Sequence, residues 1–217
     1  VDLGSRIYEP HVTGYAIETV SDYGKLSPVD LTKGRAKVVL DAIRILKEET
    51  RDVPIVGNLT GPVSTASSLM EPVTFYKELR RKNQDAHAYM DFVTRQLIRF
   101  GTAQVEAGAD VIAISDPSGT GEILGPRYFE EFAVTYINRL LEGLPREKTG
   151  TIVHICGQMK PVYREVNELK SNALSFDSII PMREARKQLP DRILMGNVST
   201  YALEFGTPDR VETLTRG

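Results

Sequence analysis

The sequence predicts an α/β fold of the (β/α)8 TIM-barrel type, in incomplete form, with strands missing at both ends. Five short apolar runs, at about 54–59, 110–115, 151–156, 173–177 and 193–197, alternate with stretches of helical periodicity. Such alternation specifies a parallel sheet with helical crossovers. Each run ends in small or polar residues: Asn58, Ser115-Asp116, His154 and Cys156, Asp177, and Asn197. Polar groups gathered at the C-terminal ends of successive strands are what a barrel mouth requires. No G-x-G-x-x-G fingerprint follows any run, which weighs against a doubly wound dinucleotide fold.

The chain has 217 residues, enough for one sizeable domain, taken here as 1–217. Hydrophobic residues make up 41% and charged residues 26%, an ordinary balance for a globular protein. The net charge is −2, from 27 basic and 29 acidic residues. No basic excess points to nucleic acid, and no basic run points to an anionic membrane surface. One cysteine excludes an internal disulfide framework and fits a reducing compartment. No apolar run approaches the roughly 18–20 residues of a membrane-spanning helix, and the opening residues do not read as a signal peptide, so none is expected. A cytoplasmic location is the expectation. The chain starts at Val1-Asp2-Leu3-Gly4 without methionine, as a piece of a longer protein would.

Residues 1–28 show no clear period and read as loop or irregular structure, with His11 a surface histidine. From 30 to 49, Val39, Ile43 and Leu46 recur at helical spacing, with Asp30 as the expected cap. The run 54–59 follows, and Thr60-Gly61-Pro62 stops it. Residues 63–70 are small and polar and read as a loop that approaches a ligand. A short helix is predicted over 72–79. The longest helical pattern spans 85–107, with Tyr89, Val93, Leu97 and Phe100 as its core stripe and His87 exposed near its start. Gly108 ends it. After the second run comes the loop Asp116 to Glu122, then a helix from about Pro126 with Phe129, Phe132, Tyr136 and Leu140 on one face. Helices are predicted again at 161–169, 182–188 and 208–215.

The third run, Thr151-Ile152-Val153-His154-Ile155-Cys156, carries the chemistry. Residues i and i+2 of a strand share a face, so His154 and Cys156 project together. One imidazole nitrogen and one sulfur are two-thirds of a catalytic zinc site of mixed N/S type, which takes three protein ligands and one open position. A buried histidine and cysteine without metal is the plain alternative. Asp177, one strand over, is placed to ligate a metal or to hydrogen-bond the histidine. Asp116 and Ser118 lie on the preceding strand-to-helix loop, and Asn58 and Asn197 could supply neutral hydrogen bonds. Strand-end Asp and Asn also commonly satisfy loop backbone. Arg127 could hold an anionic substrate, although a solvated arginine is the simpler reading. Sulfur ligation suits activation of a thiol, while a hydrolytic site would activate water.

The strand V-H-I-C-G, the loop I-S-D-P-S-G-T-G-E-I-L-G-P-R-Y-F and the late L-M-G-N-V-S-T-Y resemble the uroporphyrinogen decarboxylase superfamily. Within it they are most similar to the methylcobamide:coenzyme M methyltransferases, across essentially the whole chain. The resemblance implies a TIM barrel. It also implies Zn2+ held by His154, Cys156 and a third cysteine expected beyond Gly217. Coenzyme M would be the thiol substrate and a protein carrying a methylated corrinoid the partner, with methyl thioether and Co(I) as products. Asp177 and Asp116 are then the candidate catalytic carboxylates, and Asn58, Ser118 and Asn197 the candidate substrate contacts. The decarboxylase branch does not place H-x-C here, which makes His154 and Cys156 the discriminating residues. The alternatives are a decarboxylase-like enzyme of porphyrin biosynthesis and a non-catalytic partner in the corrinoid pathway.

Overall fold

The computed structural model describes residues 14–216. The segment 1–13, with His11, and Gly217 lie outside the described residues. In chain order, a 3-10 turn at Val20–Lys25 precedes α1 (Gly34–Glu49), β1 (Val56–Thr60), α2 (Pro62–Leu69), α3 (Pro72–Arg81) and α4 (Asn83–Glu106). Then come β2 (Val111–Ser115), α5 (Gly121–Tyr128), a π-helical segment (Phe129–Val134), α6 (Thr135–Gly143) and β3 (Gly150–Ile155). The remainder is α7 (Tyr163–Asn167), β4 (Ala173–Phe176), α8 (Met182–Gln188), β5 (Ile193–Met195), α9 (Thr200–Phe205) and α10 (Pro208–Arg216).

The five strands among the described residues are all parallel, and each pairs with the next in sequence, in the order β1-β2-β3-β4-β5. A doubly wound sheet reverses its strand order at a switch point. This sheet never does, so it is a barrel wall, open at both edges among the described residues. Alternating burial gives its two faces. Leu59, Ile114, Val153 and Leu174 line up across the strands on the face packed against helices. The other face carries the row Thr60, Ser115, His154, Ser175 and Met195. These residues are half-buried or exposed. In a barrel this is the inward face, and the row stands at its C-terminal end.

The outer layer is held chiefly by α4. Of its predicted stripe, Tyr89, Val93 and Leu97 are buried while Phe100 is only half-buried, and the Tyr89 hydroxyl donates to the Ala66 carbonyl at 2.8 Å. Burying such side chains contributes about 1.5–3 kcal/mol each.

Three local expectations are corrected. Residues 63–70 are not a ligand loop but the buried helix α2, which begins at Pro62. Serine and alanine there are small enough to let the helix sit close to the core, and Ser67 Oγ and Ser68 Oγ donate back to the Ser64 carbonyl. Asp30 does not cap α1. Its Oδ1 accepts from the Thr32 N–H and hydroxyl, and the helix starts later, at Gly34. His87 is not fully exposed. Its ring stacks on Phe132 and contacts the Tyr136 hydroxyl and Glu131. No described helix is long and apolar enough to cross a membrane.

Candidate functional site

Strand β3 brings His154 to the inward face, and Cys156 follows one residue past the strand end. Cys156 Sγ lies 3.2 Å from His154 Nε2. The other ring nitrogen, Nδ1, lies 3.0 Å from Ser175 Oγ, its neighbour in the β3–β4 register. With Nδ1–H donating to Ser175, the lone pair of Nε2 faces the sulfur.

This donor set suits zinc. Zn–S near 2.3 Å and Zn–N near 2.0–2.1 Å at a tetrahedral angle put the two donor atoms about 3.6 Å apart. The observed spacing is a few tenths of an ångström shorter, so a small side-chain movement would admit the ion. Metal-ligating histidines usually donate their second nitrogen to an oxygen acceptor, and Ser175 occupies that position. Sequence reasoning missed Ser175, because a serine inside a short strand carries no pattern of its own.

Burial lowers the His154 imidazole below its ordinary range, with the Asp177 charge opposing, which favours the neutral ring. Burial pushes the Cys156 thiol up, and the negative charges of Asp177 and Asp116 push the same way. Left alone, this thiol keeps its proton. Binding a cation would drive it off, as metal binding to thiols does generally.

The structure brings some of the sequence-predicted residues together and separates others. Asp177 follows β4 and reaches the pair through its charge. Its Oδ1 also accepts from the Ile179 N–H at 3.1 Å. Among the described residues, no three His, Cys, Asp or Glu side chains converge as a metal site. Asp116 is fully buried, and its carboxylate accepts from Val63 N–H, Ser64 N–H and Ser64 Oγ at 3.0, 2.7 and 2.6 Å. It holds the first turn of α2 in place, and burial raises it above the usual carboxylate range. The Ser118 N–H donates to Ser64 Oγ in the same network, and the Ser118 carbonyl accepts from Tyr76. Asn197 Nδ2 donates to the carbonyls of Asp177 and Ile180, both at 2.6 Å, so its amide hydrogens tie the β4 and β5 loops together. Asn58 is exposed in the middle of β1, on the inward face. Arg127 is exposed and lies 5.4 Å from the Tyr128 ring.

Residues 1–217 match the family described as uroporphyrinogen decarboxylase (URO-D). The methylcobamide:CoM methyltransferase MtbA of Methanosarcina acetivorans is 29% identical over 97% of this chain and 62% of its own length. The methylcobamide:CoM methyltransferase MtaA of Methanosarcina barkeri is 31% identical over 98% of this chain and 63% of its own length. A solved methyltransferase from Methanosarcina mazei superposes with a TM-score of 0.89 at 32% identity, covering 99% of this chain and 64% of that one. The chain therefore spans a little under two thirds of the length of these relatives.

Proposed function

Because this chain belongs to the uroporphyrinogen decarboxylase (URO-D) family, we propose that it is the zinc-binding part of a methyltransferase moving a methyl group from a protein-bound methylated corrinoid to the thiol of coenzyme M. The observation that carries this reading is the pair of Cys156 Sγ and His154 Nε2, 3.2 Å apart on the inward face of the barrel wall. The relatives named as methylcobamide:CoM methyltransferases supply the substrates.

Each residue has a role that follows from its surroundings. His154 offers a neutral nitrogen, since burial disfavours its charged form. Ser175 holds the ring orientation. Cys156 offers sulfur, and a third cysteine is expected beyond Gly217. A bound zinc ion would supply the positive charge that keeps a substrate thiol deprotonated at neutral pH. Asp177 brings negative charge to the same mouth and is the candidate to leave or join the donor set as the thiol arrives. Ser118 and Asn58 remain candidate substrate contacts. Asn197 and Asp116 would act by holding loops and helix, because their polar atoms are engaged there. The setting is soluble and cytoplasmic in this reading.

The alternatives are a metal-free decarboxylase of the same family and a non-catalytic partner of the corrinoid pathway. They draw on the lack of a third ligand beside the pair among the described residues. Zinc content of the complete parent protein, compared with its Cys156→Ser variant, separates them. About one zinc per chain, lost in the variant, is expected for a mixed N/S site. An intact protein free of zinc would sink the methyltransferase reading.

A further inference from the structure

We propose that Glu122 is a positioning residue: its carboxylate latches the turn after β3 to the start of α5, and so holds the Cys156 sulfur against the His154 ring. The metal role of that pair rests on the function proposed above, but the latch itself is a statement about this chain.

Cys156 is not in the strand. It sits on the irregular turn Cys156-Gly157-Gln158, where no ladder bond fixes the sulfur. What fixes the turn comes from the neighbouring loop. The Gln158 N–H donates to Glu122 Oε2 at 3.3 Å, a bond strengthened by the carboxylate charge. Gly157 has φ +78°, and a Cβ there would overlap the same oxygen. The positive φ is what calls for glycine here, and it brings the backbone against the carboxylate.

One further contact binds the same pair of loops, and a cap within α5 supports it. A Cβ on Gly121 would come within 2.6 Å of Val162 Cγ1, so α5 starts flush against the end of the β3 loop. Thr120 is buried at the N-cap of α5, and its Oγ1 accepts from the Ile123 N–H at 3.3 Å. That cap sets the direction in which Glu122 leaves the first turn. The tripeptide Thr120-Gly121-Glu122 thus forms a dock for the turn that carries the cysteine.

Glu122 itself is exposed. Its side chain fills no part of the core, so substituting it should loosen the turn without unfolding the barrel wall. This separates a positioning role from a merely structural one.

The test uses the complete parent protein, with alkylation read at the Cys156 peptide by mass spectrometry, so that thiols elsewhere do not enter the signal. Wild type, Glu122→Ala and Glu122→Gln are compared by three readouts: the rate of Cys156 alkylation by iodoacetamide in metal-free protein, cadmium affinity from the thiolate charge-transfer band, and melting temperature. For Glu122→Ala, alkylation several times faster and cadmium affinity roughly tenfold weaker are expected, the size typical of a lost contact around a ligand. Its melting temperature should stay near wild type. Glu122→Gln keeps an acceptor for the Gln158 N–H and should restore both signals. Should the alanine variant fail to fold, Glu122→Met, which keeps the stem but cannot accept the bond, replaces it. Equal alkylation rates in wild type and Glu122→Ala overturn the latch, and so does a glutamine variant that behaves like alanine. A wild-type chain with no cadmium band counts against the metal reading alone, and the alkylation comparison still decides the latch.

Discussion

Strands β2 and β3 are neighbours and end alike in sequence, each with polar residues pointing toward the same mouth. Their fates differ. Asp116, one residue past β2, is 0% exposed and surrounded by donors from α2. Cys156, one residue past β3, is half-buried, with His154 as its hydrogen-bonding neighbour. The cause is the element that follows β1. Only Gly61 separates β1 from α2, so the first turn of α2, with its unsatisfied N–H groups, falls directly beside Asp116. At Cys156 no helix N–H plays that part: the start of α5 meets the turn through the Glu122 side chain at Gly157 and Gln158, and α7 begins later, at Tyr163. A polar strand end is available for chemistry when no helix N-terminus has claimed it.

The largest effect that would break this contrast is on stability. Asp116→Ala leaves buried Ser64 and Val63 N–H groups without acceptors, and should cost about 3 kcal/mol. Cys156→Ala should cost about 1 kcal/mol or less. Urea unfolding of both variants measures this, and equal costs would erase the distinction between a structural and an available strand end. Next comes the imidazole support. Ser175→Ala should weaken zinc or cadmium binding by roughly tenfold, about 1.4 kcal/mol, while leaving the urea midpoint close to wild type. An unchanged affinity would mean that Ser175 does not orient His154.

The subtlest difference lies in the sign of the pH dependence of the metal-free chain. Asp116 is raised by burial above the ordinary 3.8, so its contribution is fully present below 3.8 and is lost as pH rises through its folded value. His154 is lowered by burial from 6.5. The unfolded chain then binds the proton more readily, so stability present above 6.5 is lost as pH falls from 6.5 through the folded value. The stability gap between wild type and Asp116→Asn should therefore shift in favour of wild type on acidification, while the gap to His154→Gln shifts the other way. Urea midpoints across the acidic range read both, and slopes of the same sign would contradict the burial assigned to one of the two groups.

Much of this was legible in the sequence. The strands were visible because β-branched runs such as Thr151–Val153 suit a pleated, buried surface, and His154 and Cys156 because a period of two puts them on one face. The helix α2 was not visible, since the serines and threonine between Val63, Ala66 and Met70 mask a weak apolar spacing and no side chain caps the start. Its helicity comes from tertiary contact with Tyr89 and Asp116, which no local pattern encodes. Asp116 and Asn197 looked available for the same reason: whether a carboxylate or amide is engaged depends on partners more than fifty residues away for Asp116, with Ser64 as the case in point, and about twenty away for Asn197. Glu122 stayed hidden because its partner is a backbone N–H on another loop.

The row Thr60, Ser115, His154, Ser175 and Met195 has an evolutionary consequence. Parallel register keeps these five residues shoulder to shoulder, with adjacent strands about 4.8 Å apart. A single codon change at Ser115 or Ser175 would set a new side chain directly beside the imidazole, with the backbone unmoved. A wall of this kind can exchange one donor for another, and so drift between reactions, without first having to refold.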